Sequence, residues 1–450
     1  MTASAIRSAA QDLRTQLLVP AFQPGRAGRV IACEGLLLQM EGLDAPVGSL
    51  VSIPLGNGQG GGRGGDIEAE VIGFRNGLLL LMALGPAPIA PGARGWLRGE
   101  ADRVPVGEAL LGRVSGARGE AIDGCGPIRV AGSWPLGGQP LPPLDRAEVA
   151  RIFPSGVRAI DALLTLGRGQ RVGLMAGSGV GKSVLMQQLV RGSEADCVII
   201  GLIGERGREI STFLRQLQGS ALARAHVVAV PADAAAPLRV RGVLRAFAIA
   251  EWLRSLGRHV LLVVDSLTRV AHAQREIALA AGEPPGRRGY PPSSLDLLPR
   301  LIERAGNDRA SGGAITALFT VLADGDDLVS DPVVDTARGV LDGHILLDRG
   351  IAGRGRFPAI DIGQSLSRTM ADCVTPGHLA AASRFRRDMV LVEQNRDLVT
   401  MGAYQRGQDA LLDAAMDNEA DMEAFLAQGQ FETTSFEDAL LGLQQGWGAA

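Results

Sequence analysis

Lysine is almost absent from this 450-residue sequence, in which Lys and Arg together number 45. Only Lys182 is a lysine, and every other one of these basic residues is an arginine. Arginine ends in a planar, delocalised guanidinium, whereas lysine ends in a compact ammonium on a flexible aliphatic side chain. A chain that otherwise uses arginine therefore keeps an ammonium at one position, and Lys182 is the first candidate for a functional residue.

The small numbers of cysteine and histidine residues, and the low net charge, disfavour several classes of protein. The four cysteines (Cys33, Cys125, Cys197 and Cys373) lie far apart without a CxxC pair, and the histidines number only five. A disulfide framework and a dedicated zinc site are therefore both disfavoured, and reduced thiols are expected. The formal charge of −3 gives no general attraction to nucleic acid.

Long apolar runs are also missing. No segment approaches the roughly 18 consecutive apolar residues that a membrane-spanning helix needs. Asp12 and Arg14 interrupt the amino-terminal segment, which therefore lacks the apolar core of a secretory signal. We expect a cytoplasmic protein of two to four domains.

Apolar patterning divides the chain into four predicted parts. Residues 1–20 form an amphipathic helix, which either packs on its own domain or docks a partner. Residues 21–96 form a small all-β domain, a sandwich or a barrel, in which residues 56–65 are a flexible glycine-rich spacer. Residues 97–374 form an α/β domain, and residues 375–450 are helical.

Periodic apolar runs predict the strands. In the all-β domain they are Arg29–Ala32, Leu36–Met40, Ile67–Gly73 and Leu78–Leu81. In the α/β domain they are Arg171–Met175, Val198–Ile203, His226–Val230, Val260–Asp265, Ala314–Leu322 and His344–Leu347. Near-continuous apolar strands of the second kind are typical of a parallel sheet covered by helices on both faces.

The acidic carboxyl-terminal part allows two interpretations. Beyond Arg406 the sequence contains no lysine or arginine, but nine Asp and Glu residues. These carboxylates form either a solvated helix surface or a docking site for a basic partner.

A phosphate-binding loop is predicted around the single lysine. AGSGVGKS follows an apolar strand and precedes a helix-compatible segment, although alanine stands where the strict pattern has glycine. Glycines let backbone N–H groups converge on phosphate, Lys182 reaches the terminal phosphates, and the Ser183 hydroxyl binds Mg²⁺. The predicted nucleotide-binding residues are Ala176, Gly177, Ser178, Gly179, Val180, Gly181, Lys182, Ser183 and Val184.

Two carboxylates end later apolar strands of the same domain. Asp265 closes HVLLVVD and can support Mg²⁺. Glu205 closes VIIGLIGE and is placed to polarise an attacking water, while Arg206 either balances Glu205 or contacts phosphate.

Longer stretches resemble the RecA-like ATPases, and specifically the type III protein export ATPase family, which is related to the catalytic subunits of rotary ATP synthases. The resemblance covers residues 105–372 most strongly. The main matching stretches are GERGRE (Gly204–Glu209), DSLTR (Asp265–Arg269), AQREIALAAGEPPGRRGYPPS (Ala273–Ser293), ITALFTVLADGDD (Ile315–Asp327), LDGHILL (Leu341–Leu347) and FPAID (Phe357–Asp361).

The resemblance implies a fold class and further site residues. The fold is a RecA-like P-loop ATPase core with a parallel sheet, preceded by a small all-β barrel domain and followed by a helical carboxyl-terminal domain. Phe357 resembles the residue that packs on adenine, and Arg368, in SLSR, resembles an arginine finger given to a neighbour's site. Lys182, Glu205, Arg206 and Arg368 are the implied catalytic set, with ATP and Mg²⁺ as cofactors.

The resemblance also implies partners and a location. One chain carries both the catalytic glutamate and the finger, so a homohexamer with ATP at each interface is expected. Residues 1–20 would bind a dimeric negative regulator, and a stalk protein would occupy the ring centre. Export chaperones, cargo and the membrane proteins of the export gate are the other expected partners, without direct nucleic-acid binding. The enzyme would lie peripherally at the inner-membrane export apparatus. The stretch Ala273–Ser293 is expected as a loop near the ring axis.

Four functions are compared. A flagellar export ATPase is preferred, and an injectisome ATPase of type III secretion is the alternative with the same motifs. A rotary ATPase subunit is disfavoured because rotary synthases divide the catalytic glutamate and the principal arginine finger between two kinds of subunit. Here one chain carries both. A Rho-like RNA helicase is disfavoured because residues 26–95 carry Phe74 as their only aromatic residue.

Overall fold

The computed structural model describes residues 27–54, 66–85, 88–98, 102–177, 179–217, 219–322 and 331–448. The chain divides between Ala101 and Asp102 into two compact units. The predicted helix in residues 1–20, the glycine-rich spacer and Ser178 lie outside the described residues. The predicted boundaries of the four domains remain predictions.

A closed barrel forms the first unit, with strands in the order β1, β2, β5, β4, β3 and β6. Its strands are β1 (Gly28–Glu34), β2 (Leu37–Glu41), β3 (Leu50–Pro54), β4 (Asp66–Arg75), β5 (Leu78–Ala83) and β6 (Arg94–Arg98). Alternate residues of β2 and β4 point inward and are buried, as the period of two requires. The barrel prediction is confirmed.

Close packing explains why sequence reasoning missed β6. A Cβ on Gly95 would lie 2.7 Å from Met40 Cε and 2.8 Å from Val51 Cγ1, so only glycine fits at this point of the barrel. Strand β6 begins at Arg94 and ends at Arg98, and it has a glycine where an alternating strand pattern would have an apolar side chain. The sequence therefore contains no clear signal for this strand.

A mostly parallel sheet forms the centre of the second unit. Its main path runs β18, β17, β11, β16, β14, β12, β13 and β8, and β10 and β15 continue from β16. Its strands are β8 (Val114–Ser115), β10 (Arg146–Ala147), β11 (Arg171–Ala176), β12 (Cys197–Glu205), β13 (Ala225–Pro231), β14 (His259–Asp265), β15 (Gly306–Asp308), β16 (Ala314–Leu322), β17 (Gly343–Leu347) and β18 (Ile360–Ser367). A separate antiparallel pair joins β7 (Arg103–Val106) and β9 (Gly132–Pro135).

Helices cover both faces of this sheet. They are α1 (Arg158–Leu163), α2 (Lys182–Gly192), α3 (Gly207–Gln216), α4 (Ser220–Ala223), α5 (Ala236–Ser255), α6 (Leu267–Ala280), α7 (Pro292–Ile302), α8 (Pro332–Val340), α9 (Arg349–Gly353), α10 (Met370–Cys373), α11 (Pro376–Thr400), α12 (Ala410–Asp417), α13 (Glu419–Leu426) and α14 (Phe436–Trp447). All nine residues of β12 are buried, because alternate side chains enter two different apolar cores, one on each face.

The carboxyl-terminal helices pack on the sheet domain through aromatic residues. Helix α11 begins where the Thr375 hydroxyl accepts a hydrogen bond from the His378 N–H. The fully buried Phe385 ring lies 4.5 Å from Trp447 and 5.5 Å from Phe425, measured between ring centroids. This cluster joins α11, α13 and α14 to the same core as α1 and α2.

One expectation from the resemblance is corrected. The stretch Ala273–Ser293 is not a single loop, because α6 continues to Ala280 and α7 begins at Pro292. Residues 273–280 contain no Gly or Pro and bury Ala273 and Ala278, so the helix continues until Gly282 and the prolines after it.

In the part of the chain that the structure describes, no helix combines the length and apolarity needed to cross a bilayer.

Replacing Phe385 with Ala should destabilise the protein by about 3–5 kcal/mol, because it leaves a cavity in the aromatic cluster. Urea unfolding followed by circular dichroism measures this change. Phe74→Ala is the matched control, since that ring is 75% exposed and should cost less than about 0.5 kcal/mol. Equal destabilisation by the two variants would contradict the role of the cluster.

Candidate nucleotide-hydrolysis site

The predicted phosphate loop lies between β11 and α2, at the carboxyl end of a central strand. Strand β11 is parallel to β16 on one side and to β17 on the other. Gly179 and Gly181 have φ values of 83° and 93°, in the left-handed region that favours glycine. Helix α2 starts at Lys182, so its free N–H groups point toward the loop, as an anion site requires.

A cavity of about 440 Å³ opens beside this loop. Its lining residues are Ala176, Gly177, Gly179, Gly181, Lys182, Ser183, Val184, Glu205, Arg206, Glu209, Thr268, Arg269, His272 and Leu322. The carboxyl ends of β11, β12 and β16 and the first turns of α2, α3 and α6 therefore surround one space.

Lys182 lies between the two predicted carboxylates. Its Nζ is 2.6 Å from Asp265 Oδ1 and 3.7 Å from Glu205 Oε1. The Thr320 hydroxyl donates a second hydrogen bond of 2.6 Å to Asp265 Oδ1. Asp265 is buried, so the ammonium and this hydroxyl together compensate its charge.

Glu205 is a buried carboxylate with unused hydrogen-bonding capacity. It is 6% exposed, and its Oε1 has no hydrogen-bond partner among the described residues. Burial and the neighbouring Asp265 carboxylate raise the pKa of Glu205 to about 7, against the opposing effect of Lys182. A carboxylate that titrates near neutral pH can accept a proton from a substrate.

Arg206 and Ser183 line the same cavity. Arg206 is largely exposed and pairs with Glu209, at 3.5 Å between Nη1 and Oε1, rather than with Glu205. The Arg206 side chain can therefore turn toward a phosphate, because its partner Glu209 is exposed and needs no buried counter-charge. Ser183 lies in the first turn of α2, directly after Lys182.

A second cavity of about 340 Å³ shares Gly181 and Val184 with the first. Its lining residues are Val180, Gly181, Val184, Leu185, Gln188, Leu347, Phe357, Pro358, Ala359, Gln428, Gly429 and Gln430. Phe357 is 45% exposed, so one aromatic surface is available to a planar ligand. The two cavities therefore adjoin at Gly181 and Val184, one beside the phosphate loop and the other beside Phe357.

Arg368 is far from this site within the same chain. It follows β18, which is antiparallel to β17, and its N–H donates to the carbonyl of Asp342. Asp342 precedes β17, so Arg368 lies at the opposite edge of the sheet from Lys182, Glu205 and Asp265. Its exposed side chain does not line either cavity.

Sequence reasoning missed several lining residues. Arg269 and His272 follow Asp265 on α6 and project into the first cavity, and the buried Nε of Arg269 has no partner among the described residues. Arg269 ends the DSLTR stretch that carries the family resemblance, so the sequence did contain a signal for this residue. Gln428 to Gln430 come from the carboxyl-terminal part, and no sequence pattern connects them with the phosphate loop.

The fold and the two cavities define a P-loop nucleotide hydrolase. The chain matches the model of the ATP synthase alpha/beta family nucleotide-binding domain over residues 156–367, and that of the T3SS EscN ATPase C-terminal domain over residues 374–445.

Whole-chain relatives agree with these matches. The chain is 47% identical to a flagellum-specific ATP synthase of Salmonella typhimurium over 95% of this chain and 94% of that protein. It is 42% identical to a flagellum-specific ATP synthase of Bacillus subtilis over 96% of this chain and 98% of that protein. It is also 42% identical to a type 3 secretion system ATPase of Xanthomonas euvesicatoria over 92% of each.

A solved structure shows the same fold. The assembled ATPase EscN of the enteropathogenic E. coli type III secretion system superposes with a TM-score of 0.86 at 37% identity, over 93% of this chain and 99% of that one. The chain therefore belongs to the ATP synthase alpha/beta family, in its branch of flagellum-specific ATP synthases and type 3 secretion system ATPases, and is an ATPase. The predicted resemblance is confirmed.

Replacing Glu205 with Gln should raise the melting temperature by a few degrees at pH 8 and change it little at pH 5. The folded-state pKa of about 7 exceeds the ordinary value of 4.5, so the ionised form is disfavoured in the fold. The folded state therefore loses stability as pH rises from 4.5 through 7, and Gln removes this loss. Calorimetry at both pH values measures the difference.

Glu148→Gln, which alters an exposed carboxylate in the same unit, is the control for removing one negative charge. A Glu205→Gln variant that is less stable than the parent at pH 8 would contradict the buried, unsatisfied state of this carboxylate.

Proposed function

We propose that this ATPase energises the export of flagellar proteins through a type III secretion apparatus, by releasing chaperones, unfolding cargo and delivering it to the export gate. The observation that carries the ATPase part is the meeting of Lys182, Glu205 and Asp265 at the first cavity. The flagellar part is supported by the relatives of this name at 40–47% identity.

Each catalytic residue takes one role in the proposed hydrolysis. Lys182 binds the terminal phosphates, a role supported by its place in the lining of the phosphate cavity. Glu205 orients the attacking water and accepts its proton, a role supported by its place in the lining of the cavity and by an Oε1 that accepts no hydrogen bond from the described residues. Arg206 contacts phosphate from the mouth of the cavity. Phe357 stacks on adenine, as its exposed ring allows.

The proposed metal site consists of Ser183 and Asp265. A hydroxyl and a carboxylate are oxygen ligands of the kind that Mg²⁺ prefers. Ser183 lines the phosphate cavity, and Asp265 bonds to Lys182, which also lines it. A Mg²⁺ ion held by these two residues would supply positive charge to neutralise the terminal phosphates. The Thr320 hydroxyl orients the Asp265 carboxylate by donating a hydrogen bond to it. The Lys182 ammonium compensates the negative charge of Asp265.

A homohexamer is proposed from the position of Arg368. Because Arg368 and Lys182 lie at opposite edges of the sheet, one copy cannot bring both to its own site, but head-to-tail neighbours can. A guanidinium supplied by a neighbour would stabilise charge on the transferring phosphoryl group. The structure of the assembled ATPase EscN, 37% identical, supports an assembly of copies.

The remaining partners are proposed from the family. A stalk protein in the ring centre is supported by the complex of EscN with its central stalk EscO, which superposes with a TM-score of 0.85. A dimeric regulator at residues 1–20, the export gate, chaperones and cargo complete the set. We place the enzyme in the cytoplasm, peripherally at the inner-membrane export apparatus. The four-domain division at residues 20, 96 and 374 is part of the same proposal.

An injectisome function is the second candidate. It is favoured by relatives named type 3 secretion system ATPases, which are 42% identical in Xanthomonas euvesicatoria and 43% identical in Sinorhizobium fredii. The same catalytic residues would serve either system.

Lys182→Ala in the source bacterium should abolish swimming and reduce extracellular flagellin, while flagellin remains inside the cell. The change removes the only described ammonium in the phosphate cavity. Motility plates and immunoblots of both fractions measure the result. Arg300→Ala, which removes an exposed cation outside both cavities, is the control. Intact swimming with lost effector secretion would contradict the flagellar assignment and favour the injectisome.

Mixing Lys182→Ala chains with Arg368→Ala chains should restore part of the ATPase activity that each variant lacks. In a randomly mixed ring, about a quarter of the junctions join an intact Lys182 to an intact neighbouring Arg368. Phosphate release after co-refolding or co-expression measures the recovery. A mixture no more active than either variant alone would disprove sites shared between neighbours.

A further inference from the structure

A cavity of about 320 Å³ lies at the edge of the sheet opposite the phosphate loop, with Arg151, Arg168, Asn307 and Arg309 among its lining residues. We call it the amino-edge cavity, because Arg168 precedes β11 and the lining residue Gly313 precedes β16. The phosphate loop follows the other end of β11. The two sites are therefore separated by a strand of six residues, or about 20 Å.

Three arginines line the amino-edge cavity without carboxylate partners. Arg151, Arg168 and Arg309 form no ion pair with any of the described residues. An arginine beside them does have a partner, since Arg171 Nε at the start of β11 lies 2.9 Å from Asp342 Oδ2. The same edge of the sheet therefore compensates a neighbouring guanidinium, whereas the guanidinium groups of the cavity remain uncompensated.

The positive charge of Arg168 also acts on a buried group. His259 begins β14, and its Nε2 lies 2.8 Å from the Thr316 hydroxyl. Burial, and after it the Arg168 cation, lower the pKa of His259 to about 4, against the opposing effect of Asp196. The amino edge of the sheet is therefore a region of positive potential, to which Arg168 contributes.

Two carboxylates line the cavity as well, and one of them is already bonded. Asp308 Oδ1 accepts a hydrogen bond of 3.0 Å from the Ala310 N–H, and its Oδ2 accepts one of 2.7 Å from the Ser311 hydroxyl. Glu148 is exposed and forms no ion pair with the described residues. Three cations against two carboxylates leave the cavity with net positive charge.

Hydrogen bonds hold the segments that carry the arginines in one arrangement. Asn307 Nδ2 donates to the carbonyls of Glu148 and Arg168, at 2.9 Å in both cases. Arg168 Nη2 donates to the Gly312 carbonyl at 3.2 Å. Strands β10 and β15 pair beside them. Segments distant along the chain are thus joined without a ligand, so a ligand would have little chain to order on binding.

Guanidinium groups are suited to phosphate. The planar group donates two parallel hydrogen bonds to a phosphate, and Arg is the preferred residue for this recognition. Several such groups around one cavity favour a ligand that carries more than one negative charge. The volume of about 320 Å³ is within the range of small-molecule sites and favours a small anion.

We propose that the amino-edge cavity binds a small anion of the phosphate class, with two or more negative charges, through Arg151, Arg168 and Arg309. This site is separate from the phosphate loop, and binding to it involves no hydrolysis. It is a second anion site on the same sheet domain, in addition to the one that the proposed function uses.

Calorimetric titration of the purified full-length protein with inorganic pyrophosphate tests this site. The parent should bind one pyrophosphate per chain at the amino-edge cavity, in addition to any bound at the phosphate loop. The double variant Arg151→Ala/Arg309→Ala should lose this binding event, and both side chains are exposed, so the fold should be retained. Unchanged stoichiometry and affinity in the double variant overturn the proposal.

The variant Lys182→Ala separates this proposal from the proposed function. It should keep the binding event that the double variant loses, because Lys182 is at the other end of β11. If Lys182→Ala loses all pyrophosphate binding, the phosphate loop is the whole binding site and the amino-edge proposal fails. If it loses none, the phosphate role of Lys182 fails instead, while loss in the double variant still supports the amino-edge site.

Two single variants test the sign of the charge effect. Arg309→Ala should weaken pyrophosphate binding at this site about tenfold, because it removes charge-assisted hydrogen bonds. Glu148→Gln should strengthen it about threefold, because it removes a repelling carboxylate. Arg300→Ala, which removes an exposed cation outside the cavity, is the matched control. Weaker binding by Glu148→Gln, or an equal loss in the control, would contradict the proposal.

A second copy of the chain is the alternative occupant. Arg368, which we propose to act in a neighbour's site, lies at the same edge of the sheet, where its N–H bonds to the Asp342 carbonyl. Analytical ultracentrifugation of the parent and the Arg151→Ala/Arg309→Ala variant addresses this. Altered assembly of the variant with unaltered pyrophosphate binding would make the arginines a contact between copies, and would overturn the anion site.

Discussion

The structure of the site depends on one ammonium shared between two buried carboxylates. Lys182 reaches Asp265 at 2.6 Å and Glu205 at 3.7 Å, in a cavity where an unpaired charge would be costly. Burial, and after it the neighbouring Asp265 carboxylate, raise the pKa of Glu205 to about 7 against the opposing effect of Lys182. A pKa in this range suits the role of base that we propose for Glu205. A guanidinium, planar and wider, would not occupy this position equivalently, which is consistent with the retention of a single lysine.

The carboxyl-terminal part lines the second cavity as well as packing on the sheet domain, since Gln428, Gly429 and Gln430 follow α13. Glu423 on α13 lies 3.3 Å from Arg356, measured between Oε2 and Nε, directly before the exposed Phe357. Gln428 bonds to the Phe357 carbonyl and to Gly156 on the sheet domain. These contacts join the segment after α13 to the sheet domain at the second cavity.

Much of the catalytic set could be predicted because its signals are local. A glycine loop, the lysine and the serine are adjacent in sequence, and Glu205 and Asp265 each end an apolar strand. Parallel strands bring their carboxyl ends to one edge of a sheet, so these residues meet once the strands are recognised. The roles of Phe357 and Arg368 came from the family resemblance, since an isolated Phe or Arg has no local signature. Thr320, His272 and Gln428 escaped sequence reasoning because each contributes through contacts with residues distant along the chain.

The sequence by itself determined the enzyme class, because the chemistry of phosphate binding demands particular residues at fixed spacing within one turn of chain. It also determined the alternation of apolar strands and helices, and hence the parallel sheet. Only the tertiary structure decided the order of the strands, the closure of the barrel around Gly95 and the distance between Lys182 and each carboxylate. It also placed Arg368 at the opposite edge of the sheet, and lined the second cavity with a segment some 250 residues from the phosphate loop. These features arise from packing between distant segments, and pairings of that kind leave no periodic pattern in the sequence.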